Sequence, residues 1–362
     1  MSDPFKSGLL YGAVLVVVSA GTVFAARQLS SMSHPPVSGI QRGFRGTGLV
    51  QIYNPRTYAA LYEKNQIPYI LPPTGDDGPR ASEVFQNLRV LGGLSAGQMT
   101  RLMVSMTTWV APEIGCTYCH NPENMALDTK YTKVVARRML QMTQNINGNW
   151  SAHVHATGVT CYTCHRGNPV PQYIWFNNPG PAPKGFAETQ TGMAHPTPAI
   201  SLSSLPYDPF TPYLEQANNI RVQSATPLAD KNMSSMKQTE WTYALMVNIS
   251  QSLGVNCDYC HNTRAFRDWS QSTPARVTAW YGIRMVRDVN NNYLDKLNGV
   301  FPDYRKGVLG DSPKVYCATC HQGVYKPLFG VSMLTTFKTE LGGPPATTAM
   351  LMAPYNPPPD TP

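Results

Sequence analysis

Hydrophobic residues follow three patterns along this chain. Residues 8–26, GLLYGAVLVVVSAGTVFAA, are apolar without one charge, about long enough to cross a bilayer as a single helix. Four later stretches, 95–110, 128–145, 235–252 and 274–290, place apolar residues at helical spacing, and the first opens on Ser95, a suitable N-cap. Elsewhere no period is sustained. Residues 30–80 are rich in Pro, Gly and Tyr, residues 167–230 include GNPVPQYIWFNNPGPAPKG, and the end of the chain carries GGPPATTAM and PYNPPPD. Prolines exclude long helices from such segments, so the fold class expected is mainly α with much irregular coil.

The small residues of TVFAA suit a signal-peptide cleavage site, but the apolar stretch is long for a signal core, and a retained N-terminal transmembrane helix is expected. Lys6 before it and Arg27 after it say little about orientation.

The helical stretches alternate with a repeated motif. GCTYCHN at 115–121 sets Cys116 and Cys119 two residues apart with His120 directly after. The pattern returns as CYTCH (Cys161, Cys164, His165), CDYCH (Cys257, Cys260, His261) and CATCH (Cys317, Cys320, His321), and it uses all eight cysteines. A zinc ribbon or redox dithiol has no need of histidine at that position, and disulfides are rarely spaced so regularly. C-x-x-C-H is the attachment signature of c-type haem. The two thiols add to the haem vinyl groups, and the adjacent imidazole is placed to bind iron from one face. Four covalent haem c groups are expected. In bacteria this attachment takes place outside the inner membrane, so the bulk of the chain is expected in the periplasm and its amino terminus in the cytoplasm. No cysteine near the end of the apolar stretch offers a lipid anchor.

Haem also changes the reading of charge. Lys and Arg number 29 against 21 Asp and Glu, a net charge of +8. Each haem brings two propionates, so four bring roughly eight negative charges and approximately cancel the excess. Arginines are therefore expected as propionate partners, and without a run of five or six basic residues no nucleic-acid partner is expected.

The haem-bearing part repeats itself. RLMVSMTTWVAPEIGCTYCHN is echoed by ALMVNISQSLGVNCDYCHN, VARRMLQMTQNINGNW by WYGIRMVRDVNNNYL, and GVTCYTCHRG by KVYCATCHQG. Each of two pseudo-symmetric halves reads as helix, haem motif, helix, haem motif. The chain then divides into a membrane anchor (1–29), an extended segment (30–94), a first dihaem half (95–166), a Pro-rich connection (167–230), a second dihaem half (231–335) and a Pro-rich tail (336–362), its last stretch from 343 on the surface.

Each motif supplies one axial ligand, and the choice of the second sets the potential: Met opposite His raises it, two histidines give a lower one. Met99, Met103 and Met106 share one helical face, where methionine is ordinarily a core filler. The repeat discriminates, because LMV aligns Met103 with Met246. For the second haem, Met139 and Met142 both precede Cys161, and pairing RRML with IRMV selects Met139 and, in the second half, Met285. Symmetry thus offers Met285 to the fourth haem. A rival comes from the four histidines outside the motifs. His34 and His195 stand beside prolines as surface residues, whereas His153 and His155, in WSAHVHATG, have no counterpart in the second half.

These residues resemble a known family. Four C-x-x-C-H motifs in two halves, Met-bearing helices before them, and the strings TKVVARRML, GVTCYTCHRG and KVYCATCH resemble the tetrahaem cytochrome subunit of purple bacterial photosynthetic reaction centres, over roughly residues 30–335. The resemblance implies three Met–His haems and one bis-His haem, with the distal histidine of the fourth falling on His153. Two features depart from it: many relatives carry an N-terminal lipidated cysteine that this chain lacks, and the proline-rich carboxyl tail matches no part of the pattern.

The resemblance further implies a periplasmic electron wire docked on the reaction-centre core subunits L, M and H, inside a light-harvesting ring. It refills the photo-oxidised bacteriochlorophyll special pair and is itself reduced by a soluble cytochrome c or a high-potential iron–sulfur protein. The implied order outward from the membrane is the Cys257/Cys260, Cys317/Cys320, Cys161/Cys164 and Cys116/Cys119 haems. Six-coordinate irons leave no open position for substrate, so an electron carrier and not an enzyme is expected. Arg276, Arg284 and Arg287 lie near the third and fourth motifs, where cations favour reduced haem. Two other classes compete. A membrane-anchored tetrahaem quinol dehydrogenase relies largely on histidine ligands, and a multihaem reductase needs one open iron; the repeated methionines favour neither.

Overall fold

The structure is a computed structural model that describes residues 4–31, 38–41, 50–180, 193, 195–222 and 236–343. Two compact units are distinguished by their internal contacts, Met1–Ile40 with Ile52–Ala60, and Gln41–Gln51 with Leu61–Pro362.

The first unit is dominated by helix α1 (Pro4–Ser31). Its segment Tyr11–Ser30 is long and apolar enough to cross a membrane, and none of it is buried within the protein. Near its middle Thr22 Oγ1 donates to the Val18 carbonyl at 2.7 Å, as an apolar surrounding favours. Strands β1 (Ser38–Gln41) and β2 (Val50–Tyr53) pair as a two-stranded sheet. Helix α2 (Pro55–Lys64) follows, inside the segment expected to be coil. Asn54 Oδ1 accepts the Arg56 N–H at 3.0 Å, and Pro55 stands in the first turn, where its missing N–H costs nothing.

In the second unit a short helix α3 (Ala81–Val84) precedes α4 (Ala96–Val110). Ser95 caps α4 reciprocally: Gln98 N–H donates to Ser95 Oγ at 3.2 Å, and Ser95 N–H to Gln98 Oε1 at 3.0 Å. Gln98, Arg101, Leu102, Ser105 and Trp109 form its buried stripe. The other expected helices are α5 (Tyr131–Asn149), α8 (Met236–Leu253) and α9 (Pro274–Val289), the last begun by Thr273 and Pro274. Helix α5 is followed directly by the single turn α6 (Ser151–Val154). The second and fourth motifs are themselves short helices, α7 (Cys161–His165) and α10 (Cys317–His321), whereas the first and third form 3₁₀ turns, Gly115–Tyr118 and Cys257–Tyr259. Helix α7 packs on α4, α10 on α8, and α7 on α10.

Two expected boundaries are corrected. The connecting segment 167–230 is more than a link, because Trp175, Phe210, Tyr213 and Leu214 from it build one core with Leu245, Ile249 and Val286. The tail does not begin at 336. Phe337 and Leu341 are fully buried beside Leu102, Trp109 and Leu140, and helix α11 (Lys338–Leu341) brings Glu340 Oε1 to 3.0 Å from Arg101 Nη1. The same guanidinium donates to the carbonyls of Leu71 and Thr336 and lies 3.7 Å from the Phe337 ring centre. Residues 344–362, the remainder of the expected tail, lie outside the described residues.

Candidate functional site

The four motif histidines share one local geometry. His120 Nδ1 donates to the Met125 carbonyl at 2.9 Å, His165 Nδ1 to Asn168 at 2.8 Å, His261 Nδ1 to Phe266 at 3.1 Å and His321 Nδ1 to Val324 at 3.0 Å. A carbonyl only accepts, so each Nδ1 carries the proton and each Nε2 keeps a bare lone pair. This is the arrangement by which metal-binding histidines are oriented. In the first and third motifs the carbonyl lies five residues on; in the second and fourth it lies three residues on. Burial disfavours the protonated form in three of the motifs. It lowers His165, and it pushes His321 and His261 down to about 4, with His153 and Arg276 respectively adding to the effect.

Among the other histidines His153 has the same tie, its Nδ1 donating to the Thr278 carbonyl of α9 at 2.9 Å. Its ring centre lies 6.1 Å from that of His321, with the two planes at 62°, and burial lowers its pKa as well. One iron between two imidazoles needs two metal–nitrogen bonds of about 2 Å and a ring radius of a little over 1 Å at each end, roughly 6 Å in all. His155 points elsewhere: it is exposed, at φ 50°.

Met285, the symmetry candidate for the same place, is out of step. Thr132 Oγ1 donates to the Tyr118 carbonyl at 2.6 Å and Thr273 Oγ1 to the Tyr259 carbonyl at 2.5 Å, so these threonines are equivalent markers. Met139 comes seven residues after its threonine and Met285 twelve after its own. Five helical residues displace it by about 7.5 Å. Met285 packs instead on Ile146, Val289 and Leu294, a cluster that Met139 and Met142 also touch.

A cavity of about 790 Å³ runs between α4, α5 and the first two motifs. It is at the upper end of the range for bound organic cofactors. Met99, Met103, Met106, Met139 and Met142 line it together with Cys116, Cys119, His120, Cys161, Cys164 and His165. Cations stand at its wall. Lys133 Nζ donates to the carbonyls of Met125, Ala126 and Leu127, so the carbonyl that orients His120 is itself held. Arg137 pairs with Asp128 at 2.7 Å, and Arg305 Nε donates to Tyr131 Oη at 3.3 Å. In the second core Met246 packs against buried Leu245 and Ile249. Arg276 lies over the Trp269 ring at 4.0 Å, donates to the Asp268 carbonyl, and is close enough to His261 to disfavour its protonation. Arg284 stacks on Trp280 and Arg287 donates to the Tyr213 and Asn218 carbonyls.

The thiols complete the picture. No C-x-x-C pair is closed on itself; the one disulfide joins Cys164 to Cys320, across α7 and α10. Thioether attachment uses the same two sulfurs, so the two bonds exclude each other. Around this junction Arg166 Nη2 donates to the Cys320 carbonyl at 3.3 Å and Gln322 Nε2 to the Cys164 carbonyl at 3.4 Å, a reciprocal exchange between motifs. Both residues have left-handed backbone, φ 51° and 48°. Arg166 Nη1 is buried without a hydrogen-bond partner. Burial pushes the Cys161 and Cys317 thiols up to about 12 and Cys260 to about 11, the opposite of a reactive dithiol. Among the described residues no three His, Cys, Asp or Glu side chains converge to hold a bare metal ion. The donor set fits c-type haem: cysteines in C-x-x-C pairs, imidazoles oriented through Nδ1, thioether sulfurs in a largely apolar cavity, and a guanidinium nitrogen of Arg166 buried without a partner.

Comparison with known proteins agrees. A family described as the photosynthetic reaction centre cytochrome C subunit matches residues 33–340. The chain is 52% identical over 319 residues to the photosynthetic reaction center cytochrome c subunit of Thermochromatium tepidum, covering 88% of this chain and 78% of that one. It is 49% identical over 339 residues to that of Rubrivivax gelatinosus, covering 93% and 92%. Identity to the Roseobacter denitrificans subunit is 41% over 340 residues, covering 89% and 91%.

Proposed function

The chain belongs to the photosynthetic reaction centre cytochrome c subunits, and from that premise we propose that it is a four-haem wire of two pseudo-symmetric halves, with three Met–His sites and one bis-His site. It is an electron-transfer subunit of the reaction centre, and its family carries covalently bound haem c. Haem c supplies one-electron exchange between ferric and ferrous iron.

The residues have distinct tasks. Cys116 and Cys119, Cys161 and Cys164, Cys257 and Cys260, and Cys317 and Cys320 would form the thioethers, which requires the Cys164–Cys320 bond to be open. His120, His165, His261 and His321 would bind iron through Nε2. Met103, Met139 and Met246 would supply sulfur at the first three sites, and His153 would supply a second imidazole at the fourth. The single observation that carries this reading is the pairing of His153 with His321, two tied imidazoles 6.1 Å apart. The matched ties of first and third, and of second and fourth, motifs support two halves on one plan.

The contact of α7 with α10 supports an order in which the second and fourth sites are neighbours at the middle. The proposed sequence outward from the membrane is Cys257/Cys260, Cys317/Cys320, Cys161/Cys164 and Cys116/Cys119. Helix α1 anchors the chain in the membrane, with the haem-bearing part on the periplasmic side, against core subunits L, M and H and the surrounding light-harvesting ring. A soluble cytochrome c or high-potential iron–sulfur protein delivers electrons at the outer end, and the special pair receives them at the inner end. The protein acts as a carrier whose residues would hold each iron and set spacing and potential.

Redox titration of the purified complex, resolved spectrally for each haem, tests the reading. Three higher-potential components and one distinctly lower are expected. Four low-potential components, or fewer than four covalent haems by mass, would refute it.

A further inference from the structure

Gly282 lies in the middle of α9, where glycine weakens a helix relative to alanine. A Cβ at this position would meet the His153 ring at Cε1 2.5 Å, Nδ1 2.8 Å and Nε2 3.2 Å. That ring cannot simply move aside, because Nδ1 is held by the Thr278 carbonyl and its centre lies only 6.1 Å from that of the His321 ring. Side chains on a helix lean toward its N-terminus, so a residue at 282 covers the turn that ends at the Thr278 carbonyl. That carbonyl also receives the N–H of Gly282 in the helical ladder. With no side chain at 282 it is open to a second donor, and His153 is that donor.

We propose that Gly282 is the positioning residue that selects histidine as the distal ligand of the Cys317/Cys320 haem, its bare backbone admitting His153 to the face of α9. The proposal rests on the bis-His reading above. The first half carries a side chain at the equivalent place whichever register is used: Ala136 when Met139 is paired with Met285, Gln141 when Thr132 is paired with Thr273. On α9 the next thioether on nearly the same face is Met285, three residues on.

The test uses the full-length haem-loaded chain carrying Gly282→Ala. The low-spin bis-imidazole signature of one haem is expected to disappear. Its midpoint rises by at least the ~59 mV that a tenfold one-electron change represents, and the other three stay in place. An unchanged signature and midpoint overturn the proposal. If the single variant does not accumulate, the double variant His153→Ala/Gly282→Ala is expected to accumulate as well as His153→Ala alone, since the ring that opposes the new Cβ has gone. A double variant no better than Gly282→Ala overturns the proposal. His153→Ala by itself separates the two ideas: an intact low-potential component there removes the bis-His reading and the role of Gly282 with it.

Discussion

The ring centres of His153 and His321 lie 6.1 Å apart with planes at 62°, and each ring is held through Nδ1 by a main-chain carbonyl. Replacing one imidazole by a thioether at this place changes the ligand class without changing the count. His153→Met is expected to raise the midpoint of a single haem by more than ~59 mV, a tenfold change in its reduction equilibrium. Spectrally resolved titration checks this; an unmoved midpoint would argue for another ligand.

The converse exchange belongs to the first cavity. Met139 lines it among five methionines, so packing alone does not single it out. Met139→His is expected to lower one midpoint by more than ~59 mV, whereas Met142→Leu leaves all four within error. A Met142→Leu shift in place of the Met139→His shift would transfer the ligand role.

Arg166 is a partly buried cation at the junction of the second and fourth motifs, where the reciprocal position holds neutral Gln322. Burial lowers its pKa only to about 10, so the charge persists at neutral pH. Arg166→Gln makes the two positions alike and is expected to lower the potentials of the Cys161/Cys164 and Cys317/Cys320 haems by roughly 30–60 mV. Equal shifts in all four haems would point to a global rearrangement.

Arg101 and Glu340 form an ion pair with both side chains 4% exposed. Glu340→Gln leaves the guanidinium buried with its carbonyl partners but without its counter-charge. A loss of about 3 kcal/mol is expected, at the low end for a broken buried pair. The urea midpoint of the haem-loaded chain measures it, and no haem potential is expected to follow.

Asp128 is held below the usual carboxylate range, first by its hydrogen bond to Arg137 and further by Asn87 and Lys133. A lowered folded pKa contributes stability above the unfolded value, and that stability is lost as pH falls through the folded one. With the side chain 34% exposed, screening limits the contribution to about 1 kcal/mol. Asp128→Asn is therefore expected to cost up to that amount at neutral pH, the gap from the parent chain closing in strong acid. Denaturation series at several pH values check the sign.

Much of this molecule is legible in its sequence because local rules govern it. Ser95 caps α4 as its position suggests, and the four long haem-bearing helices fall within a few residues of the apolar period that predicts them. Helix α2 escapes such a reading because it is short, only ten residues, and stands in a Pro- and Gly-rich stretch with none of its residues buried. A signal it does carry is Asn54 followed by Pro55. The packing of residues 337–341 is hidden for a different reason: Glu340 and Phe337 answer to Arg101, more than two hundred residues away. The rivalry between His153 and Met285 turns on register, and the threonine hydrogen bonds that set it exist only once the loops have folded.

The carbonyls behind the histidines have an evolutionary consequence. Met125 and Phe266 have unlike side chains yet do one job, and so do Asn168 and Val324. Any amino acid brings a carbonyl, so these positions are free to drift while the imidazole stays aimed. Point mutation cannot delete such a support; only a change in loop length can. Insertions and deletions between each histidine and its carbonyl are where descendants of this chain pay the heaviest cost.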